Sequence, residues 1–200
     1  MATRANAAPQ HAQLKIELAW TEPLIWRRVL VPHSIKMHRL HDVIQIAFDW
    51  DDAHLHDFRK DRRRIGPKPP TEFDFPYFDE PAPEDEHKVC LSDVLARPRT
   101  KLRYVYDYGD HWVHEITLEK LLPSDGGIAL GKTQARCIDG ANAPAPEDCG
   151  GPPGFERFKA AMADPTHPEH ADMMDWYAEP FEATHFDLGA VNDRLAPLRC

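Results

Sequence analysis

Long apolar runs are missing from this 200-residue chain, and no stretch approaches the roughly 20 residues that a membrane-spanning helix needs. The first ten residues also lack the apolar segment of a secretory signal. Glycine is scarce beside 19 prolines, which excludes an all-helical bundle and predicts long, stiff connections. We therefore expect a cytoplasmic protein with no membrane partner, whose 42% hydrophobic residues suffice for a core.

Sequence motifs of the common catalytic chemistries are absent as well. The chain has no G-x-S-x-G, H-E-x-x-H, P-loop or dinucleotide-binding motif. None of its cysteines (Cys90, Cys137, Cys149 and Cys200) forms a C-x-x-C pair, so we expect free thiols in a reducing compartment. Cys137 and Cys149 flank one loop, so the sequence is also consistent with a disulfide bond between them or with a metal ion bound by both. The sequence does not decide whether the protein is an enzyme.

Charge is divided unevenly along the chain. Residues 1–68 carry 12 basic and 8 acidic side chains (+4), residues 69–200 carry 12 and 25 (−13), and the sum is −9. An acidic chain binds nucleic acid poorly unless its cations cluster. The one dense cluster consists of Arg59, Lys60, Arg62, Arg63, Arg64 and Lys68. It is either a nucleic-acid contact or a solvated loop.

The hydrophobic pattern predicts an α+β fold with a mainly antiparallel sheet. Alternation predicts one hairpin over residues 14–31, a short strand over 54–58 and a second hairpin over 102–121. Apolar residues at helical spacing predict one N-terminal helix over 35–48, with Ser34 as its N-cap, and two to three C-terminal helices after residue 154.

The domain organisation expected is a disordered tail at 1–12 and a single α+β domain over 13–200. Six prolines and little apolar periodicity predict a long insertion at about 59–88. Its aromatic residues, which we expect to hold its middle against the domain, are Phe73, Phe75, Tyr77 and Phe78.

Two glycine-bearing loops concentrate side chains that bind metals or transfer protons. The bend of the second hairpin carries Asp107, Asp110 and His111. The later loop carries Glu147, Asp148 and Cys149 before two glycines. Carboxylates with an imidazole suit Mg²⁺, Mn²⁺ or Zn²⁺, or general acid–base chemistry. The alternative is structural: such acids often accept backbone N–H groups of their own turns, and the later loop is either an anion-binding nest or a rigid connection.

Two further features bear on this candidate site. His54 and His56 alternate in the predicted strand, so they either chelate one metal ion from one face or pack beside Phe58. Arg27 lies in a predicted strand and is a candidate to reach inward and pair with Asp107 or Glu147. The acidic neighbours of Cys149 argue against a thiolate nucleophile activated by His111.

Several of these segments together carry a family resemblance. They are Trp26-Arg27-Arg28, His54-Leu55-His56-Asp57-Phe58, the seven residues YDYGDHW from Tyr106 to Trp112, and the six residues PEDCGG from Pro146 to Gly151. The chain resembles the plasmid pRiA4b ORF-three-like family, which includes TnpR-like passenger proteins of insertion sequences, over roughly residues 13–195. The resemblance implies an α+β fold and an association with plasmids and mobile elements. It supplies no reaction and no catalytic residue.

Two functions are consistent with the sequence. The first is an interaction module for a protein or nucleic-acid partner of a mobile element, favoured by the missing catalytic motifs and the basic stretch. The alternative is a metal-dependent hydrolase or nuclease that uses loops 107–111 and 147–149, with a divalent ion as cofactor and His54 or His56 as further ligands. Both require the two acidic loops to meet in space.

Overall fold

One sheet of eight strands organises the computed structural model, which describes residues 10–68, 82–123, 130–131 and 133–200. The strands are β1 (Gln10–Leu18), β2 (Trp26–Pro32), β3 (His56–Lys60), β4 (Arg63–Gly66), β5 (Glu84–Asp85), β6 (Lys101–Tyr106), β7 (Trp112–Pro123) and β8 (Arg136–Ala141). Their order across the sheet is β5-β4-β3-β6-β7-β1-β2-β8. Only β4 and β5 pair in parallel. The predicted α+β class with a mostly antiparallel sheet is confirmed, although the sheet is mixed and larger than expected.

Five helices accompany the sheet in the described part of the chain. They are α1 (Met37–Phe48), α2 (Leu91–Val94), α3 (Gly151–Ala163), α4 (His170–Tyr177) and α5 (Leu188–Leu195). Helix α1 begins after Lys36, not at the expected cap Ser34, because Lys36 is held in an extended bridge to Cys90. Among the described helices, none has the length and apolar character to cross a membrane.

The centre of the sheet consists of the two expected hairpins, β1–β2 and β6–β7, joined by pairing of β1 with β7. Alternation places Leu14, Ile16 and Leu18 on the inner face, where all three are fully buried. Lys15 and Glu17 lie on the outer face and are half-buried. The inner face and the apolar stripe of α1 therefore form the core.

The structure corrects several predicted boundaries. Strand β1 begins at Gln10 and buries Ala12 between β2 and β7, so residues 10–12 belong to the sheet rather than to a tail. Residues 59–66 form most of the β3–β4 hairpin instead of a loop, because a tight turn at Asp61, with φ 53°, pairs Arg59 with Arg64.

Other differences concern segments outside the predicted strands. Strand β8 lies outside the strands predicted from the sequence, and it forms because pairing with β2 supplies hydrogen-bond partners for its backbone. The predicted contacts of Phe73, Phe75, Tyr77 and Phe78 fall outside the described residues, as does the start of the tail.

A buried guanidinium joins three elements at one end of the core. Arg27 of β2 is 1% exposed and donates from Nε to the Ala47 carbonyl of α1 at 2.9 Å. Its Nη1 donates to Ala141 O of β8 at 2.8 Å, and its Nη2 to Asn142 O at 3.0 Å. The Phe186 ring lies 4.2 Å from its Cζ. Burial lowers the pKa of Arg27 to about 10, so the group stays charged at neutral pH.

The neighbouring arginines provide a test of this arrangement. Arg27→Met leaves several carbonyls without a donor, and we expect a loss of at least about 3 kcal/mol in the free energy of unfolding. Arg28→Met, on the outer face of the same strand, removes half-exposed ion pairs and costs about 1 kcal/mol or less. Denaturant unfolding of both variants measures the difference, and equal losses would contradict the role assigned to Arg27.

A buried histidine makes the stability depend on pH. His114 of β7 is completely buried among aromatic rings, 4.6 Å from Phe48 and 5.0 Å from Trp50 between ring centroids. Neither of its ring nitrogens makes a hydrogen bond of acceptable geometry to a described residue. Burial lowers the pKa of His114 to about 3, with weak opposition from the backbone of Tyr104. The folded protein therefore holds this ring neutral.

We predict that this ring contributes acid sensitivity. As pH falls below 6.5, the unfolded chain protonates His114 while the folded chain does not, so stability falls by up to about 1.4 kcal/mol per pH unit until about pH 3. His114→Phe removes this contribution, so the slope of the unfolding free energy against pH decreases by up to about 1.4 kcal/mol per pH unit, which corresponds to one proton. Denaturant unfolding at several pH values below 7 measures the slope, and an unchanged slope in the variant would refute the prediction.

Candidate functional site

The two acidic loops meet at one end of the sheet. The Gly150 N–H, just before α3, donates to Asp110 Oδ2 in the β6–β7 turn at 3.0 Å. A Cβ atom added at Gly151, where φ is +67°, would lie 2.4 Å from the Asp110 carbonyl oxygen. The double glycine therefore permits direct contact between the start of α3 and the hairpin bend.

His54 points into the space between these loops. Its Nε2 lies 2.9 Å from Asp148 Oδ1, 3.8 Å from Asp107 Oδ2 and 3.9 Å from Glu147 Oε1. This nitrogen is buried and makes no hydrogen bond of acceptable geometry, since the approach to Asp148 is close but poorly directed. The site thus gathers one imidazole nitrogen and oxygens of three carboxylates.

Asp107 has both of the roles that the sequence allowed, since one oxygen stabilises its own turn and the other belongs to the candidate site. Its Oδ1 accepts the Gly109 N–H at 2.8 Å, as in many turns, and its backbone is left-handed at φ 54°. Its Oδ2 faces His54. One oxygen therefore holds the bend in shape while the other faces the shared space.

Two hydrogen-bond donors that were not predicted from the sequence hold the Glu147 carboxylate in place. The Tyr106 hydroxyl donates to Oε1, and the Asp51 N–H donates to Oε2 at 2.8 Å. Burial and the Glu147 carboxylate raise the pKa of Tyr106, which keeps its hydroxyl protonated. The alternation of β6 did signal that Tyr106 faces inward, but the position of Asp51 depends on the path of the chain after α1.

Other predicted site residues take different positions. His111 is exposed, and its N–H donates to the Asp107 carbonyl at 2.6 Å. Asp110 anchors Gly150 as described above. Burial, with Asp110 and Asp148 beside it, raises the pKa of Cys149 to about 12, which agrees with the expectation that it is not a thiolate nucleophile. All four cysteines are free.

Arg27 does not make the expected pairing with Asp107 or Glu147. Its donors reach backbone carbonyls at the ends of α1 and β8 instead. The cause is geometric, because β2 lies at the β8 side of the sheet whereas the acidic turn follows β6, on the other side of β7 and β1.

His56 is separated from His54, which corrects the picture of one chelating strand face. Strand β3 starts only at His56, whose ring stacks on His41 of α1 with centroids 3.7 Å apart. His56 Nε2 lies 2.9 Å from Glu86 Oε2, and His41 Nε2 lies 2.8 Å from Asp52 Oδ1. Burial, with His56 beside it, lowers the pKa of His41 to about 4. Each of these nitrogens already has its own carboxylate partner.

Most cations of the stretch 59–68 are engaged within the fold. Arg59 and Arg64 both bind the fully buried carboxylate of Asp57, and Arg63 binds Glu84 at 2.7 Å. These contacts lower the pKa of Asp57 against the opposing effect of its burial. Lys60 Nζ donates to the Lys101 carbonyl. Of the six, Arg62 and Lys68 are exposed and the others are half-buried, so the stretch is mainly structural.

The residues around His54 fit a divalent cation. Ligand atoms of His54, Asp107 and Asp148 all lie within 4.8 Å of one another. Ligands bound at 2.0–2.2 Å to a tetrahedral metal are about 3.4 Å apart, which is close to the separations seen here. A set of one imidazole and carboxylates suits Mn²⁺ or Zn²⁺ better than softer metals.

Comparison with known proteins places the chain in a family. Residues 10–190 match the plasmid pRiA4b ORF-3-like proteins. The uncharacterised protein y4hQ of Sinorhizobium fredii is 36% identical over 183 residues, which are 90% of this chain and 85% of that protein. The crystal structure of MM3350 from Methanosarcina mazei Go1, a protein of unknown function, has a TM-score of 0.76 and 31% identity, covering 92% of this chain and 97% of that one. The association with mobile elements stays a prediction. The chain belongs to the plasmid pRiA4b ORF-3-like family.

Proposed function

We propose that the protein is a metal-dependent hydrolase whose divalent ion is held by His54, Asp107 and Asp148. The observation that carries this proposal is the buried Nε2 of His54, which has carboxylate oxygens on several sides and no well-directed hydrogen bond. An imidazole nitrogen in this position lacks a partner unless a cation occupies the space between it and the carboxylates.

The arrangement favours a reactive site over a purely structural one. Three protein ligands leave a coordination position open for water, as in catalytic zinc sites. The Asp148 side chain is 67% exposed, so the site is accessible to solvent. A bound divalent ion supplies a water molecule of lowered pKa. Glu147, fixed by Tyr106 and Asp51, is the carboxylate placed to accept a proton there.

An interaction module for a protein or nucleic-acid partner is the second proposal. It is favoured by the outer face of the sheet, where charged side chains of neighbouring strands remain accessible to solvent. This proposal does not exclude the first, since the two concern different parts of the molecule.

Metal binding is tested directly by calorimetry. After removal of metals with a chelator, we expect the protein to bind about one Mn²⁺ or Zn²⁺ and to melt at a higher temperature in its presence, because the ion binds the native state. His54→Ala and Asp148→Asn should each weaken binding at least about tenfold. His185→Asn, which changes an exposed histidine elsewhere, serves as the control and should bind normally. Equal binding by all variants would refute the site.

Hydrolysis is tested with chromogenic phosphodiester and carboxylic-ester substrates. We expect metal-dependent turnover that Glu147→Gln lowers by about a hundredfold while metal affinity is largely kept, since that carboxylate is assigned to proton transfer. Glu156→Gln, at an exposed position of α3, is the matched control. Metal binding without turnover of any substrate would support the site but contradict the hydrolase.

A further inference from the structure

The outer face of the sheet carries a groove at the end opposite the acidic loops. The groove has a volume of about 610 Å³ and is lined by parts of β1, β2, β6 and β7. Its position follows from the pairing, because Lys101 at the start of β6 lies beside Thr117, which lies beside Lys15. The seven residues from Lys101 to Asp107 span about 20 Å of extended chain, which separates the groove from the proposed metal site.

Basic side chains dominate the lining of this groove. Among the described residues, four cations line it, namely Arg28, Arg99, Lys101 and Lys120, against the single acid Glu119. A local excess of positive charge of this kind is notable in a chain of net charge −9. Thr117 and Gln13 add a hydroxyl and an amide to the same lining.

The one acid of the groove is already neutralised. Arg28 donates to Glu119 from Nε at 2.8 Å and from Nη2 at 3.1 Å, and Gln13 donates to the same carboxylate at 2.6 Å. These hydrogen bonds lower the pKa of Glu119. The carboxylate is therefore not available to balance the remaining cations.

The side chains of the other three cations are unpaired in the part of the chain that the structure describes. Arg99, Lys101 and Lys120 are exposed, and none makes a side-chain hydrogen bond or ion pair to a described residue. The backbone at Arg99 is left-handed, with φ 69°, and its N–H donates to Leu118 O at 2.7 Å. This unusual conformation holds a charged residue at the groove, next to β7.

The arrangement suits an extended anion better than a single small one. Lys120 lies three residues along β7 from Thr117, the partner of Lys101, so the two lysine Cα atoms are about 11 Å apart by strand geometry. Cations spread over that distance match several phosphates spaced along a ligand. Beside the groove, Trp26 offers an aromatic ring with the Arg28 Cζ 4.9 Å from its centroid. Aromatic rings beside cations are typical of surfaces that bind nucleotides.

We propose that this groove binds the phosphate groups of a single-stranded nucleic acid. The cations responsible are Arg99, Lys101 and Lys120, since Arg28 is already paired with both Glu119 and Asp139. This inference does not rest on the metal site. It also relocates the expected nucleic-acid contact from residues 59–68 to the outer face of the sheet.

The test is fluorescence anisotropy with a labelled oligothymidylate, with ATP and inorganic pyrophosphate as competitors. EDTA in every sample removes any contribution from the metal site. We expect affinity to fall steeply between ~50 and ~200 mM salt, and the triple variant R99Q/K101Q/K120Q to bind at least about tenfold more weakly with a salt slope smaller by about 2–3. We expect ATP to compete much more weakly than the unlabelled strand, and competition by ATP at concentrations similar to those of the strand would contradict the proposal.

The control variant removes the same charge elsewhere. R62Q/K68Q/R199Q changes three exposed cations outside the groove and should keep its affinity within about twofold. Unchanged thermal melting of both triple variants shows that they fold. No binding of the labelled strand by the unmodified protein, or equal weakening in the two triple variants, would overturn the proposal.

Discussion

The buried guanidinium of Arg27 is the interaction on which the arrangement of the candidate site depends. A charge in the core requires nearly all of its donors to be satisfied, and here backbone carbonyls satisfy them. Those carbonyls belong to the end of α1 and the end of β8. Because the chain runs from α1 through Asp51 to His54, and from β8 to Glu147, fixing these two ends fixes the approach of both segments to the acidic turn. A residue outside the site thus sets its geometry.

The site itself is assembled from elements far apart in the sequence. His54 precedes β3, Asp107 follows β6, and Asp148 precedes α3. Strands β3 and β6 are neighbours, so His54 and Asp107 lie at the same end of the sheet. The contact between Gly150 and Asp110 then brings in the third segment. The Tyr106 hydroxyl links the sheet to Glu147, so the site is supported from the core as well as from the loops.

Periodicity was sufficient to predict the centre of the fold. The alternation in β1, β6 and β7 and the helical spacing of α1 reflect burial mainly on one face, although Val105 and Val113 are buried on the other face of the sheet. The edges were not predictable in this way. Strand β8 and the β3–β4 hairpin are short and polar, and they exist because neighbouring strands offer backbone partners. From its sequence alone, a basic stretch such as Arg62-Arg63-Arg64 is predicted to be a solvated loop, because the sequence does not show that Asp57 and Glu84 lie beside it.

The sequence was sufficient to predict which types of residue form the candidate site, but not which individual residues form it. Glycines beside acids in two loops indicated close approach, and that contact is present. His54 and His56 were both assigned to one strand, which allowed them to share a metal ion, whereas the strand begins at His56, two residues after His54. The roles of Asp51 and Glu86 depend on long-range packing that no local pattern encodes.

The close approach of α3 to the hairpin bend also limits how this part of the molecule can move and vary. A Cβ atom at Gly154 would lie 1.9 Å from the Cys149 carbonyl oxygen, just as one at Gly151 would meet Asp110. Together with the hydrogen bond from Gly150 to Asp110, the contact at Gly151 holds the start of α3 against the hairpin bend. A side chain at Gly151 would push these two segments apart and so separate Asp148 from Asp107, whereas His54 reaches the same space on another segment of the chain.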